Sequence, residues 1–589
     1  MGKKLFSLIV LLALAAWPVL AASVEGEFSF SFEEETPAAS DFQLNLELQE
    51  EVKKLQGKIE ELQGQLELAN RQKSDLYSAL TRIEIKGTSV TDFRNFHLKG
   101  PGAGSALDFL GRPLWHDPIE SEMQLTGSKG NERVSLLIVG RPIPQIEVGG
   151  DIEFIYTWAG GKQLTPSENI YIKADFGAWQ TLGGTYWAQF SPLTLFYPLD
   201  QPKFESDIFA QKRSNWLAEQ KIKGNSRRLE GFRGQFQVDN LKVTGLVGRV
   251  AKSPYHRFLW GLEGVLAVSP ALELTGNFVS YKDDIASATA GSAADSLLLG
   301  LAANWQLRKN LSWQGEIVRS SYNSNILGNL PPAFDQAFTS ELTWKSAQLQ
   351  LQSRLINVGP FYYAPTAQSR DYALTNASIF GPTTARTAMG GLVAEAANEA
   401  LPYGLATPNR KGIQFAAAYT FQSGATFLVE HWQLSELRPS LDDGRLTDQF
   451  ATTRNYYVEK IGGELPLTKI IRHSIFSLPQ KETKLTGQWE RRRTVRPADP
   501  ESGAASQINR TELISDLGLS YELAPGWDLL VGGKRQIWQE DLAEKSQDSI
   551  GAGLRIRVNP TAIFQLSWDK YLSEDADGTI YGLHVKAEF

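Results

Sequence analysis

The chain has 589 residues, with 59 basic and 66 acidic side chains and a formal net charge of −7 at pH 7. This mild acidity over so long a chain speaks against a nucleic-acid-binding protein, because binding to nucleic acid calls for a basic surface. The sequence contains no cysteine, which is compatible with export into an oxidising compartment.

The N-terminus has the pattern of a secretory signal peptide over residues 1–22. Lys3 and Lys4 form a positive n-region, residues 5–16 form a short apolar core, and small residues then offer a cleavage site. A membrane anchor is the alternative. The apolar run is too short for a comfortable helical span, however, and it ends at Pro18.

A heptad pattern follows an acidic, irregular arm at 23–47 and predicts an α-helical coiled coil at 48–83. Apolar residues recur at alternating spacings of four and three, and the positions between them are mostly Glu, Lys, Gln and Arg. An amphipathic helix packed on its own domain is the alternative, but its apolar stripe would follow a 3.6-residue period. The predicted seam consists of Leu48, Val52, Leu55, Ile59, Leu62, Leu66, Ala69, Lys73, Leu76, Leu80 and Ile83.

After this segment the period changes to two, which is typical of β-strands with one apolar and one polar face. Segments of about ten residues alternate in this way, for example at 297–307 and 413–421, and about ten tilted residues suffice to cross a bilayer. Short connections alternate with long ones, as in membrane barrels with short turns on one side and long loops on the other. We therefore predict an all-β transmembrane antiparallel barrel at 119–589, preceded by the α-helical coiled coil.

The expected number of strands follows from parity. We count 23 candidate strands from residue 84 onward, but the mature N-terminus and the C-terminus should lie on the same side of the membrane, which requires an even number. Counting back from the C-terminus leaves 84–99 as the surplus segment, so we assign 84–118 to a linker. The prediction is about 22 strands, within a range of about 18 to 24. The stretch 466–480 is too long for a turn and fits no element.

The last strand shows the alternation most clearly, with one face apolar to its end and the other face charged. With its final aromatic residue, the chain resembles bacterial outer-membrane β-barrel proteins, whose last strand commonly ends in Phe as part of an assembly signal. The resemblance implies the outer membrane of a Gram-negative-type envelope, contact with outer-membrane lipid, and recognition by the barrel-assembly machinery. The face that would carry this signal comprises Tyr581, Leu583, Val585 and Phe589.

The order of coiled coil and then barrel resembles the S-layer-homology porins of diderm Firmicutes, but without their wall-binding module ahead of the coiled coil. This resemblance covers the layout of nearly the whole mature chain and no specific motif. It implies a coiled coil in the periplasm, with peptidoglycan as a candidate partner. Trimers are common among outer-membrane porins, so self-association as a homotrimer is expected, although the seam residues do not exclude a dimer.

Charged side chains recur on the face that we assign to the lumen. Opposed basic and acidic groups across a pore would create a transverse field that acts on passing solutes. The long connection at 359–410 is either a constriction folded into the lumen or a surface loop, and the sequence favours neither. The candidate pore-lining residues are Glu341, Lys484, Glu490, Arg492, Asp516, Lys534, Arg555, Arg557, Asp569, His584 and Lys586.

The sequence favours a channel over an enzyme. Its six histidines lack the spacing of a zinc site, and no nucleophile elbow is present, so we expect no catalytic residues, no metal and no cofactor. The function that we predict is a porin-like channel for passive diffusion of small hydrophilic solutes or ions. The alternative is a structural anchor that tethers the outer membrane to the cell wall through the periplasmic coiled coil.

Overall fold

The chain divides into residues 1–78 and residues 79–589, and each part is described by itself. The computed structural model describes residues 53–68, 70, 83–100, 124–157, 163–195, 203–210, 228–250, 257–283, 295–323, 332–367, 400–402, 404–440, 446–468, 482–499, 507–540, 543–573 and 576–589. The signal peptide and the arm at 23–47 lie outside these ranges.

In the first part, residues 53–68 form a helix, which agrees with a helical period in the middle of the predicted coiled coil. The seam residues on this helix are exposed, and they are Leu55, Ile59, Leu62 and Leu66. Six further seam positions lie outside the described residues: Leu48, Val52, Ala69, Lys73, Leu76 and Leu80. None of the helices in the described ranges has the length and apolar character needed to cross a membrane.

The second part is a closed barrel of 22 antiparallel strands. The strands are β1 (Ile83–Lys99), β2 (Gln124–Ile143), β3 (Ile146–Thr157), β4 (Gln163–Asp175), β5 (Trp179–Trp187), β6 (Arg228–Val238), β7 (Leu241–Val250), β8 (Arg257–Ser269), β9 (Leu272–Asp283), β10 (Asp295–Arg308), β11 (Leu311–Asn323), β12 (Ala333–Lys345), β13 (Leu349–Val358), β14 (Arg410–Thr420), β15 (Thr426–Ser435), β16 (Asn455–Pro466), β17 (Thr483–Arg496), β18 (Ile508–Ala524), β19 (Trp527–Glu540), β20 (Ala543–Asn559), β21 (Ala562–Ser573) and β22 (Asp577–Glu588). Each strand pairs with the next, and β22 pairs with β1 to close the barrel.

The two faces of the barrel differ as the alternation predicts. Large apolar side chains project outward without protein neighbours to cover them, as at Leu301 (68% exposed) and Leu517 (59% exposed). Trp305 and Trp527 project on the same face close to strand ends. An apolar outer surface around a polar interior is the arrangement that a bilayer requires of a barrel.

The two rims of the barrel also differ. One rim carries short connections such as 239–240 and 560–561 together with the C-terminus, and we call it the turn end. The opposite rim, the loop end, carries the long connections 188–227 and 359–409. The stretch 466–480 belongs to the connection between β16 and β17 at the turn end, and residues 469–481 lie outside the described ranges.

The predicted number of strands is confirmed, but the linker at 84–118 is wrong. Ile83–Lys99 is β1, which pairs with β2 along its whole length and with β22 from Thr88 onward. Without it, β2 and β22 would be unpaired edges. The barrel therefore begins at Ile83 and not at residue 119, and Ile83 belongs to a strand and not to the coiled-coil seam.

The chain terminus completes this closure. The backbone amide of Gly87 donates to the carbonyl of Phe589 (2.6 Å), and the amide of Phe589 donates to the carbonyl of Gly87 (2.8 Å). The aromatic ring of Phe589 lies over Gly87, where any Cβ atom would overlap it. The position of Phe589 is thus fixed by the first strand as well as by its own.

We expect Gly87→Leu to impair barrel closure, because the added side chain must displace Phe589 at a cost of about 1–3 kcal/mol. The measurement is the folded fraction after refolding into lipid vesicles, read from heat-modifiable gel mobility. Ser89→Leu is the matched control, since it adds the same side chain to the same face of β1 two residues further on. Equal folding of the two variants would contradict a specific role of the contact between Gly87 and Phe589.

Candidate functional site: the barrel lumen

The structure places the predicted pore-lining residues on the inner face of the barrel, and most of these side chains are partnered by close neighbours. Glu341 and Arg354 form an ion pair on adjacent strands. Arg492 contacts Glu490 at 2.6 Å and Glu512 at 3.2 Å. These charged side chains are therefore paired with close neighbours along the wall.

The last three strands show the same local pairing. Arg555 and Arg557 both contact Asp528, at 2.9 and 3.0 Å, and Lys586 contacts Glu588 at 2.5 Å. Asp569 and His584 are buried on β21 and β22. The register places His584 opposite Gln565 and not opposite Asp569.

The connection between β5 and β6 belongs to the loop end, and both of its described parts lie in the lumen. Its first described part, 188–195, contacts β8–β11. The Ser191 hydroxyl donates to the carboxylate of Glu316 and lies 2.7 Å from the hydroxyl of Thr194. The ring of Phe190 lies 2.7 Å from where a Cβ atom of Gly261 would be. This end of the loop is therefore fixed to one wall.

The second described part, 203–210, contacts β16–β20, which are separated from the first wall by β12–β15. The Lys534 ammonium lies 3.3 Å from the carboxylate of Glu205, and both side chains are almost fully buried. The backbone amide of Ser206 donates to Asp516 (3.3 Å). Asp207 accepts from Lys484 (3.0 Å). Three residues predicted to line an open pore, Asp516, Lys534 and Lys484, thus hold a loop in place.

Glycines on the inner face make room for this second part. A Cβ atom at Gly532 would lie 2.8 Å from Ile208, and one at Gly551 would lie 3.0 Å from it. A Cβ atom at Gly462 would lie 2.7 Å from Phe204, and one at Gly518 would overlap the side chain of Ser206. Residues 204–208 therefore pack against four glycines on four different strands, where a larger side chain would collide with the loop.

The connection between β13 and β14 also folds inward at both of its described ends. The Tyr362 hydroxyl donates to the carbonyl of Leu193 (2.5 Å), and the Thr366 hydroxyl donates to the carbonyl of Thr194 (2.6 Å). Burial raises the pKa of the Tyr362 phenol well above its ordinary value, so the hydroxyl remains a donor. The segment 359–410 was expected to be either folded into the lumen or a surface loop. Its described parts lie in the lumen.

An apolar core fills the lumen where these two loops meet the wall. It contains loop residues such as Leu193, Leu195, Tyr363 and Leu401 and inward-facing strand residues such as Val318. The sequence suggested a charged inner face throughout. Instead, the inner face is apolar where loops cover it and charged where they do not, because each side chain matches the medium that it meets.

Below this core lies a cavity of about 570 Å³ on the side of the turn end. Its wall is contributed by β8–β17, and its roof by the two loops at Phe190, Ser191, Leu401 and Leu405. Cavities that hold small solutes are of this size. Within the described residues, no group of three or more His, Cys, Asp or Glu side chains is placed to hold a metal ion.

Comparisons with known proteins give structural matches of low similarity. No protein-family model matches the sequence, and a comparison with curated proteins gives no match. Among solved structures, the chain is similar to OccK5 (OpdH) of Pseudomonas aeruginosa, with a TM-score of 0.35, 8% identity, and coverage of 85% of this chain and 98% of that chain. The outer membrane protein OprD from Pseudomonas aeruginosa gives a TM-score of 0.35, 7% identity, and coverage of 86% and 93%. The P pilus usher (PapC) translocation pore gives a TM-score of 0.38, 10% identity, and coverage of 86% and 99%.

Proposed function

We propose that this protein is a diffusion channel of a bacterial outer membrane that admits small hydrophilic solutes or ions. The observation that carries the proposal is the polar cavity in the lumen, roofed by two infolded loops within a barrel whose outer face is apolar. An apolar outer face suits lipid, and a charged cavity suits hydrated solutes. A barrel that served only as an anchor would have no need of this cavity.

The loops set the character of the channel. A barrel of this size encloses a lumen wide enough for a large aqueous pore or for a plug. The described parts of the β5–β6 loop and of the β13–β14 connection occupy part of that lumen, so the channel that we propose is narrow and selective by size. No reaction is assigned to it, since a passage through a shaped pore requires neither a cofactor nor a catalytic group.

The test is single-channel conductance of the full-length mature protein in a planar bilayer. We expect discrete conductance steps, because a solute path past the loops gives each inserted barrel a fixed conductance. Protein that is folded by heat-modifiable mobility and yet gives no steps at any voltage would overturn the proposal. The anchoring role would then be preferred, and binding to purified peptidoglycan would be measured next.

We further propose that the segment around the 53–68 helix joins copies of the chain, with the homotrimer as the favoured form. The exposed seam of Leu55, Ile59, Leu62 and Leu66 supports this proposal, since apolar side chains at heptad spacing gain free energy when a second helix covers them. In the conductance experiment, a homotrimer predicts steps that occur in groups of three. The N-terminal segment would then lie in the periplasm.

A further inference from the structure

The cavity in the lumen is more acidic than basic. Six glutamates and four basic residues line it, and they are Glu263, Glu273, Glu316, Glu341, Glu430, Glu490, Lys203, Arg354, Lys460 and Arg492. Three of the basic residues are already engaged, Arg354 with Glu341 and both Lys460 and Arg492 with Glu490. The excess negative charge of the cavity therefore comes from the glutamates other than Glu341 and Glu490.

Two of those carboxylates lie on neighbouring strands on one side of the cavity. Glu263 on β8 and Glu273 on β9 both face the cavity. Within the described part of the chain neither forms an ion pair at 4 Å or less, although Lys242 and Arg233 act on Glu263 at longer range. Glu273 lies nearer the turn end. It is four residues from Asn277 along β9, which corresponds to roughly 13 Å. A cation entering from the turn end thus meets Glu273 first and Glu263 next.

Asn277 provides an independent sign of a ligand at this place. It is directly opposite Glu263 in the register of β8 and β9, it lines the cavity, and only 3% of it is exposed. Neither its Oδ1 nor its Nδ2 has a hydrogen-bond partner within the described residues. Buried amides almost always have partners, so a donor in the cavity is expected to pair with Oδ1, whereas Nδ2 requires an acceptor, which an ammonium does not supply.

We propose that Glu273, Glu263 and Asn277 form a binding track for small organic cations that carry a primary ammonium group. An ammonium has three N–H donors, which the carboxylate of Glu263 and the amide oxygen of Asn277 accept together, while Glu273 attracts the cation at the entrance. The track deepens the proposed function, on which it rests, by naming the class of solute. It also gives the channel a preference for cations over anions.

The charge part of the proposal is tested by the reversal potential in a KCl gradient. We expect the native channel to prefer K⁺, and the double variant Glu263→Gln/Glu273→Gln to lower the ratio of K⁺ to Cl⁻ permeability at least about threefold. Glu540→Gln is the matched control, since Glu540 is an exposed glutamate at the end of β19 and does not line the cavity. Conductance steps with no cation preference, or an unchanged ratio in the double variant, would overturn the track and leave the channel function standing. Absence of steps would overturn the channel itself.

The recognition part is tested by block of the K⁺ current with butylammonium, compared with tetramethylammonium, which has the same charge and no N–H donor. We expect butylammonium to block more strongly, and Asn277→Leu to weaken its block by about tenfold, since a hydrogen bond to a charged group is lost. Asn277→Asp is expected to strengthen the block in the same assay. Equal block by the two cations, or block by butylammonium that neither variant changes, would overturn the role of Asn277.

Discussion

Replacing Lys534 by Met is expected to release the β5–β6 loop from the lumen and to raise the single-channel conductance. Lys534 is buried between Glu205 of the loop and Asp516 of the wall, and its ammonium also lies 6.0 Å from the ring of Phe209. Removing one partner of a buried ion pair costs about 3–5 kcal/mol, because the other charge stays uncompensated. A penalty of that size on the docked loop shifts its population toward the undocked state, so the conductance should rise at least about twofold or fluctuate between two levels.

The control restores the charge balance without restoring the ion pair. In Glu205→Met/Lys534→Met, made in an Asp516→Asn background so that no buried carboxylate is left without its cation, the charges are gone and apolar groups remain beside Phe209, which is often nearly neutral for stability. We therefore expect the double variant to return to a conductance close to that of the native channel. A single variant that conducts like the native protein, or a double variant that conducts like the single one, would show that this pair does not hold the loop.

The barrel could be predicted from the sequence because every second residue of a lipid-facing strand must be apolar. At Leu297, Leu299 and Leu301 the outward side chains are apolar whatever the interior contains. The predicted number of 22 agrees with the structure, but the prediction places all 22 strands after residue 119, where the structure has 21, β2 to β22. Parity removes 84–99 from the candidate strands, although this segment is β1 and pairs on both sides.

The site was harder to predict than the barrel, since it depends on which loop meets which wall. The segment around Phe204 and Ile208 has no period, and nothing in it distinguishes a lumen loop from a surface loop. A usable signal lay in the wall instead. Gly518, Gly532 and Gly551 fall on inward positions of β18–β20, where a barrel open to water has no reason to omit side chains. Inward glycines on adjacent strands indicate that another segment packs there.

Part of the charge pairing on the inner face follows from spacing along a strand. Glu490 and Arg492, for example, lie on one face of one strand and contact each other. Side chains two residues apart on a strand point in the same direction. Their pairing was therefore predictable from spacing alone, whereas the partners of Lys484 and Lys534 on the loop were not.

At the loop end, Glu436→Gln is expected to destabilise the barrel more than any exposed substitution. Glu436 accepts from the backbone amide of Arg454 (3.0 Å) and from the hydroxyl of Tyr456 (3.3 Å), and its carboxylate lies 3.5 Å from the guanidinium of Arg454 and 3.9 Å from that of Arg410. These side chains are almost completely buried. The neutral amide keeps the shape but leaves two buried cations without their common anion, which costs about 3–5 kcal/mol.

The free energy of unfolding in lipid vesicles, followed by tryptophan fluorescence in urea, measures this loss. Asp448→Asn is the matched control: it also neutralises one carboxylate of the β15–β16 connection, but its partner Arg438 is exposed and Asp448 is 90% exposed. Exposed pairs contribute about 0–1 kcal/mol, so the control should barely change stability. If both variants unfold at the same urea concentration, the buried cluster does not stabilise the loop end. If only Glu436→Gln unfolds early, the rim that holds the two infolded loops depends on a single carboxylate.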